Sequence, residues 1–302
     1  MNWDGVAGRT GADREEPRAA RTPPCAVSVL ATDVDKPWTS IQPRRFAMHK
    51  HDILLRYDEF NFFTPNAVTR LLAKIIRVQP GDVVLDLGSG VGPLAIWAAL
   101  EPSAEVHAVE LLPEHCEFLR ENLLLNGVAQ KVSVHEASLF EALPQGFQAD
   151  VIVADVSGIS EDAGRLMGWY PPRVPTGGPD GTSVIIPLLM QARHYLRPGG
   201  RMYFPVGIGM ADGEKIMNTA RSCFEHIEVL TQADFPLSPV QYAEVVRHLP
   251  ERITKHIRRR GTRYAACGLF CEAMNPVLSP PSPALDRSAA DCDAETIKYA
   301  ID

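Results

Sequence analysis

Two acids set around a glycine-rich turn carry the most specific chemistry in this chain. The run Val83-Val84-Leu85-Asp86-Leu87-Gly88-Ser89-Gly90-Val91-Gly92 reads as a buried strand that ends in an acid and a tight turn, and Pro93 to Leu100 continues as a helix. Glycines leave no Cβ in the turn, so the backbone can take positive φ and approach a ligand closely. The helix behind it presents unpaired N–H groups. Strand, turn and helix together make a nucleotide or nucleoside pocket. Glycine spacing alone also fits a dinucleotide loop, or a turn with no ligand. Asp86 discriminates, because a carboxylate just ahead of the first glycine repels a pyrophosphate and attracts an ammonium group. A second strand, Glu105 to Val109, ends at Glu110, roughly twenty residues downstream, where a ribose-binding acid is expected.

The pattern Asp-x-Gly-x-Gly-x-Gly resembles the first motif of class I S-adenosylmethionine (SAM) dependent methyltransferases. The resemblance implies SAM as cofactor, with Asp86, Gly88, Gly90 and Gly92 at its amino acid end and Glu110 on both ribose hydroxyls. Leu111, Ser138, Leu139 and Asp155 complete the expected cofactor set, together with Phe63 and Thr64, whose equivalent element closes over SAM in relatives. Phe63, Thr64 and Asn66 also suit a helix start, with Thr64 or Asn66 as cap and Phe63 as staple. Many relatives place an Asp on the adenine amino group after the third strand. This chain has Ala137-Ser138-Leu139-Phe140 there, and the Ser138 hydroxyl can accept the same bond.

The segment Thr176-Gly177-Gly178-Pro179-Asp180-Gly181-Thr182, followed by a helix and Tyr195-Leu196-Arg197-Pro198-Gly199-Gly200, narrows the likeness. It is similar to the HemK/PrmC glutamine methyltransferases and their "methyltransferase small" relatives, over roughly residues 60 to 235. Those proteins end the fourth strand with Asn-Pro-Pro-Tyr, which cages a planar amide nitrogen. Here the place reads Asp155-Val156-Ser157-Gly158, so the resemblance does not carry a glutamine acceptor with it.

Methyl transfer from a sulfonium needs proximity, alignment and an available lone pair. Asp155 ends a central strand, where open α/β sheets bind ligands. It can take the acceptor's proton as a general base, orient an amine or hydroxyl, contact the amino group of SAM, or simply cap the next turn. Tyr170 is expected beside it as a second catalytic group. The connection 157–181 is long enough for a lid. It holds Ser157, Arg165, Trp169 and Arg173, an expected substrate set in which an aromatic stacks on a flat acceptor and cations pair with a carboxylate or phosphate. The alternative is a surface loop pinned by Trp169.

The elements that must position these groups alternate between strand and helix. Expected strands lie at 83–87, 105–109, 132–135, 150–155, 201–206, 226–230 and 264–273, with helices at 66–76, 93–100, 113–126, 182–196 and 214–223. The expected fold is α/β: a doubly wound, mostly parallel seven-stranded sheet, Rossmann-like, with an antiparallel last strand. Residues 1–45 and 276–302 read as flexible extensions around a methyltransferase domain at 46–275, and a chain beginning at Met48 is expected to fold. Gln241 to Arg263 is expected to form an inserted basic helix, with its core at 241–260. It is either a solvated face or a phosphate-facing patch.

Composition limits the class. A net charge of -7 argues against a broadly nucleic-acid-coating surface. No apolar run reaches the ~20 residues of a membrane span, and the first residues lack an apolar secretory core. Six scattered cysteines form neither a disulfide framework nor a zinc pattern, so no metal and a reduced, cytoplasmic protein are expected. The leading expectation is methylation of an N or O atom of a small-molecule acceptor, with a nucleic acid less favoured and no membrane partner. The alternatives are an RNA or protein methyltransferase of HemK-like type, a SAM enzyme that releases methylthioadenosine by aminocarboxypropyl transfer or cyclisation, and a non-catalytic SAM-binding protein.

Overall fold

The period-two and period-3.6 apolar runs fold into the expected alternation. The computed structural model describes residues 40–60, 65–102 and 105–278. In chain order it contains β1 (Arg44–Met48), β2 (His51–Leu55), α1 (Ala67–Ile75), β3 (Val83–Leu87), α2 (Pro93–Leu100), β4 (Glu105–Glu110), α3 (Pro113–Leu125), β5 (Val132–Glu136) and β6 (Ala149–Ala154). Then follow α4 (Glu161–Leu166), α5 (Ile185–Ala192), β7 (Leu196–Ile208), α6 (Gly213–Cys223), β8 (Phe224–Leu237), α7 (Pro239–His248), α8 (Glu251–Thr254), β9 (Arg258–Arg260) and β10 (Arg263–Pro276).

The main sheet has the order β5-β4-β3-β6-β7-β10-β8, with short β9 added to β10. Strands β3 to β7 pair in parallel, and β10 runs antiparallel to both β7 and β8. The seven-stranded, mostly parallel sheet with an antiparallel last strand is therefore present. Chain order reverses on either side of β3, which opens a crevice at the carboxyl ends of β3, β4 and β6. Alternate residues of the central strands feed two cores. Leu85, Leu87, Ile152 and Ala154 pack on one side, and Val84, Val151 and Val153 pack with Trp97 on the other. Helix α2 is apolar on every face, and Pro93 through Ala99 are all buried.

Several expectations are corrected. An antiparallel β1–β2 hairpin lies across the expected boundary at residue 46, and its Phe46, Met48, Ile53 and Leu55 are buried in the same core as α1 and α2. The lid segment 157–181 is not all loop, because Ser160 caps α4 within it. The inserted basic helix is broken. Leu249 and Pro250 separate α7 from α8, and Arg258–Arg260 turns into a strand. The expected helix 182–196 is confined to α5, and β8 runs on to Leu237.

Candidate cofactor and acceptor crevice

The crevice is a cavity of about 770 Å³ whose walls include Gly88, Gly90, Glu110, Leu111, Ser138, Leu139 and Asp155. Gly88 and Gly90 sit at φ 70° and 55°, in the left-handed region that glycine tolerates. A Cβ on Gly88 would lie 2.8 Å from Val156 Cγ1, whereas one on Gly90 would meet open space. Gly90 therefore brings bare backbone to the cavity. Leu139, at φ 48°, holds the same conformation without being glycine, at the wall where the base of a nucleoside would lie.

Glu110 is buried at the end of β4, and each of its oxygens is anchored. Oε2 accepts from the Gly90 amide at 2.8 Å and Oε1 from the Leu112 amide at 2.9 Å. His115 Nδ1, from the first turn of α3, lies 3.3 Å from Oε1. Burial opposes its ionisation, but the His115 ring and the Leu112 and Gly90 amides outweigh that and hold the carboxyl below its usual range. A carboxylate has about four acceptor positions, so capacity remains for hydroxyl donors. His115 was missed in the sequence reading; its signal is a histidine in the first helical turn after a strand-end acid.

Asp86 and Gly92 lie behind the wall rather than on it. Asp86 is 1% exposed, and neither carboxylate oxygen completes a hydrogen bond among the described residues. Burial, with the charges of Asp155 and Glu110, pushes it up to about 7 against the pull of Ser89 and the Ala95 amide. Asp86 was expected at the ammonium group of the cofactor; its carboxylate is enclosed beneath the glycine turn and is not among the residues that line the cavity. Gly92 is the N-cap of α2 at φ 93°, and a Cβ there would lie 2.2 Å from Leu119 Cδ1, so packing requires this glycine.

Asp155 lines the same cavity as Glu110 and directly follows β6. Thr69 Oγ1, from α1, donates to Asp155 Oδ2 at 2.8 Å. Burial raises the carboxyl to about 6, and the Thr69 bond opposes the rise. Thr69 was also missed. It is a buried polar residue on the inner face of α1, where Asn66 caps the helix and Thr69 closes the capping box. Phe63 and Thr64 lie outside the described residues.

The cavity is also lined by Ser157, Trp169, Tyr170, Phe235, Ala266 and Gly268, among others. Ser157 Oγ donates to the Pro175 carbonyl at 2.7 Å, and Trp169 meets Phe235 edge to face at 6.3 Å. Tyr170 is 6% exposed, and its hydroxyl donates to the Ile159 carbonyl at 3.0 Å. A Cβ on Gly164 would enter its ring, so Tyr170 braces the lid from its place on the cavity wall. Arg165 and Arg173 are not on the cavity wall. Arg165 pairs with Glu161 along α4, and Arg173 pairs with Glu114 of α3.

Residues 60–162, which include the glycine turn, Glu110 and Asp155, match the family described as TRM5/TYW2 methyltransferase domain. The chain is 45% identical over 95 residues to the ribosomal protein L11 methyltransferase of Geobacter sp. (strain M21), covering 32% of this chain and 29% of that protein. It is 30% identical over 149 residues to the release factor glutamine methyltransferase of Cereibacter sphaeroides, covering 47% of this chain and 53% of that protein. Among solved structures, the M. jannaschii tRNA m1G37 methyltransferase superposes with a TM-score of 0.47 at 14% identity, over 79% of this chain and 56% of that one. The chain thus spans under a third to about half the length of these curated relatives.

Sheet order and glycine turn are those of the class I SAM-dependent methyltransferase fold, and the sequence matches, centred on residues 60–162, support SAM as the cofactor of this crevice. The HemK-like resemblance holds, although Asp155-Val156-Ser157-Gly158 stands where that branch has its amide motif. One expectation is overturned. The curated relatives are named for ribosomal protein L11 and a release factor, which are macromolecules, and not for a small-molecule acceptor. Among the described residues no helix is long and apolar enough to cross a membrane.

Proposed function

We propose that the protein transfers the methyl group of SAM to a nitrogen atom presented by a macromolecule of the kind its relatives modify, protein or RNA. The observation that carries the reading is the pair of acids lining one cavity: Glu110, anchored by backbone amides, and Asp155, held by Thr69. SAM supplies an electrophilic methyl group on a sulfonium. Its positive charge suits a cavity in which Asp86, Glu110 and Asp155 lie within electrostatic reach of one another. Glu110 accepts the ribose hydroxyls on its remaining lone pairs. Leu111, Ser138 and Leu139 enclose the base, and Gly88 and Gly90 leave room for the amino acid end.

Asp155 then faces the acceptor. A carboxylate accepts hydrogen bonds and donates none when ionised, so it selects an N–H donor over a carbonyl. Its raised pKa suits removal of a proton near neutral pH. Trp169 and Phe235 give the acceptor an apolar, aromatic seat. The test is incubation with methyl-labelled SAM and separated protein and RNA fractions of a cell extract. Label in a macromolecular fraction with equimolar S-adenosylhomocysteine is expected. Methylthioadenosine as the product, or label in neither fraction, would refute the proposal.

A further inference from the structure

The broken basic segment places an arginine-rich hairpin at the rim of the crevice. Strand β10 starts at the edge where the parallel strands end, because Cys267 pairs with Ile208, the last residue of β7. Ala266 and Gly268 are crevice wall, and Arg263 lies three residues earlier on the same strand, about 10 Å away. The turn to β9 carries Arg258, Arg259, Arg260 and Arg263 around Gly261, which sits at φ 62°. Asp234 is shared between Arg258, at 3.3 Å, and Arg260, at 3.5 Å. Arg259 and Arg263 are exposed, and no carboxylate pairs with either among the described residues. On a chain of net charge -7, this is a local surplus of positive charge.

An aromatic pair adjoins it. Tyr264 stacks on Tyr242 of α7 with centroids 3.7 Å apart and planes within 2°. Tyr264 is the cross-strand partner of Arg259, so the two share a face of the ribbon. Ala266, two residues on, shares that face and reaches the crevice. Guanidiniums beside a half-exposed aromatic platform match a single-stranded nucleic acid, whose phosphates take the charge and whose bases take the rings. An acidic peptide would use the charge and leave the rings without a partner.

We infer that the β9–β10 hairpin and Tyr242 dock a single-stranded segment of RNA next to the acceptor seat. Phosphates meet Arg259 on the tyrosine face and Arg263 on the other face at the end of the hairpin, which the strand wraps, a base stacks on the tyrosine pair, and the neighbouring nucleotide enters the crevice toward Asp155. The inference rests on the methyltransferase reading above and makes RNA its substrate class.

The test measures anisotropy of the full chain with a labelled single-stranded RNA of about 16 nucleotides. Arg259→Ala/Arg263→Ala should weaken binding at least tenfold and flatten the log–log salt slope by about 1.4, at about 0.7 per phosphate contact. Lys74→Glu, on the exposed side of α1, alters net charge by the same amount and should bind like the parent. If the double variant loses its heat with S-adenosylhomocysteine, Arg263→Ala alone must still weaken RNA binding several-fold. Absence of RNA binding, equal binding by parent and double variant, or displacement of the RNA by polyglutamate at equal charge would each overturn the inference. Calorimetry with S-adenosylhomocysteine separates the two readings. Heat without RNA binding removes only the docking surface, and absence of heat removes the methyltransferase reading beneath it.

Discussion

At the scale of single residues, the chemistry concentrates on Asp155 and the threonine that holds it. Asp155→Asn keeps the side chain's shape and its bond to Thr69 but cannot take up a proton. Methyl transfer should fall by about a hundredfold or more, a much larger loss than any loss of calorimetric affinity for S-adenosylhomocysteine. Unchanged turnover would remove Asp155 from the reaction. Thr69→Val tests how the acid is tuned. The Thr69 hydroxyl opposes the rise of the Asp155 pKa, so its loss must raise that pKa further. The ascending limb of kcat/KM, expected near pH 6 in the parent, should move to higher pH. A limb that stays in place would show that another group sets it. Asp86 and Glu110 were legible as a pair because each ends a strand beside a turn. Thr69 was not legible as a partner, because it stands 86 residues from Asp155 and reads as an ordinary capping residue.

At the scale of elements, the hairpin β1–β2 adds four side chains to the core of α1 and α2. Beginning the chain at Met48 was expected to preserve folding, but it removes most of β1. Phe46 then leaves the core, and the guanidinium of Arg70 loses the ring it covers at 4.1 Å. Loss of one buried aromatic costs about 1.5–3 kcal/mol. A chain starting at Met48 should melt several degrees below one starting at Ser40, read by differential scanning calorimetry. Equal melting temperatures would show that the hairpin adds nothing. The hairpin was missed because its strands are five residues each and carry two adjacent exposed arginines and an exposed aspartate. The basic segment was misread for a related reason. Its arginines fit a helical face as well as a strand, and Pro250 decided between them. The correction matters for function, since a continuous helix would not set Arg259 opposite Tyr264.

At the scale of the whole molecule, three acids around one crevice couple ligand binding to protons. In the ligand-free fold, burial raises Asp86 to about 7 and Asp155 to about 6, both above the usual aspartate value. For a raised acid, the stability it contributes is fully present below the unfolded pKa, near pH 4, and is lost as pH rises through the folded values. Stability of the ligand-free protein should therefore fall between about pH 4 and pH 7 on account of these two groups. An ammonium group placed near these acids offsets the burial penalty by favouring the carboxylates. Affinity for S-adenosylhomocysteine, which keeps the ammonium group, should rise from about pH 6 to pH 8 with net proton release. Calorimetry in buffers of different ionisation enthalpy reads that release directly. A flat affinity with no proton transfer would show that the three acids do not act on the ligand.

The sequence by itself determined the sheet, the glycine turn, the two strand-end acids and the cofactor class. All of these follow from local period and spacing, which a chain displays before it folds. Tertiary structure alone decided which groups meet. It moved Asp86 and Gly92 behind the wall, made Tyr170 a strut, drew Arg165 and Arg173 into surface pairs, and set Thr69 on Asp155 and an arginine hairpin on the rim. The physical reason is that side-chain partners are chosen by packing between elements distant in sequence. Periodicity says which face of an element is buried, and not what is buried against it.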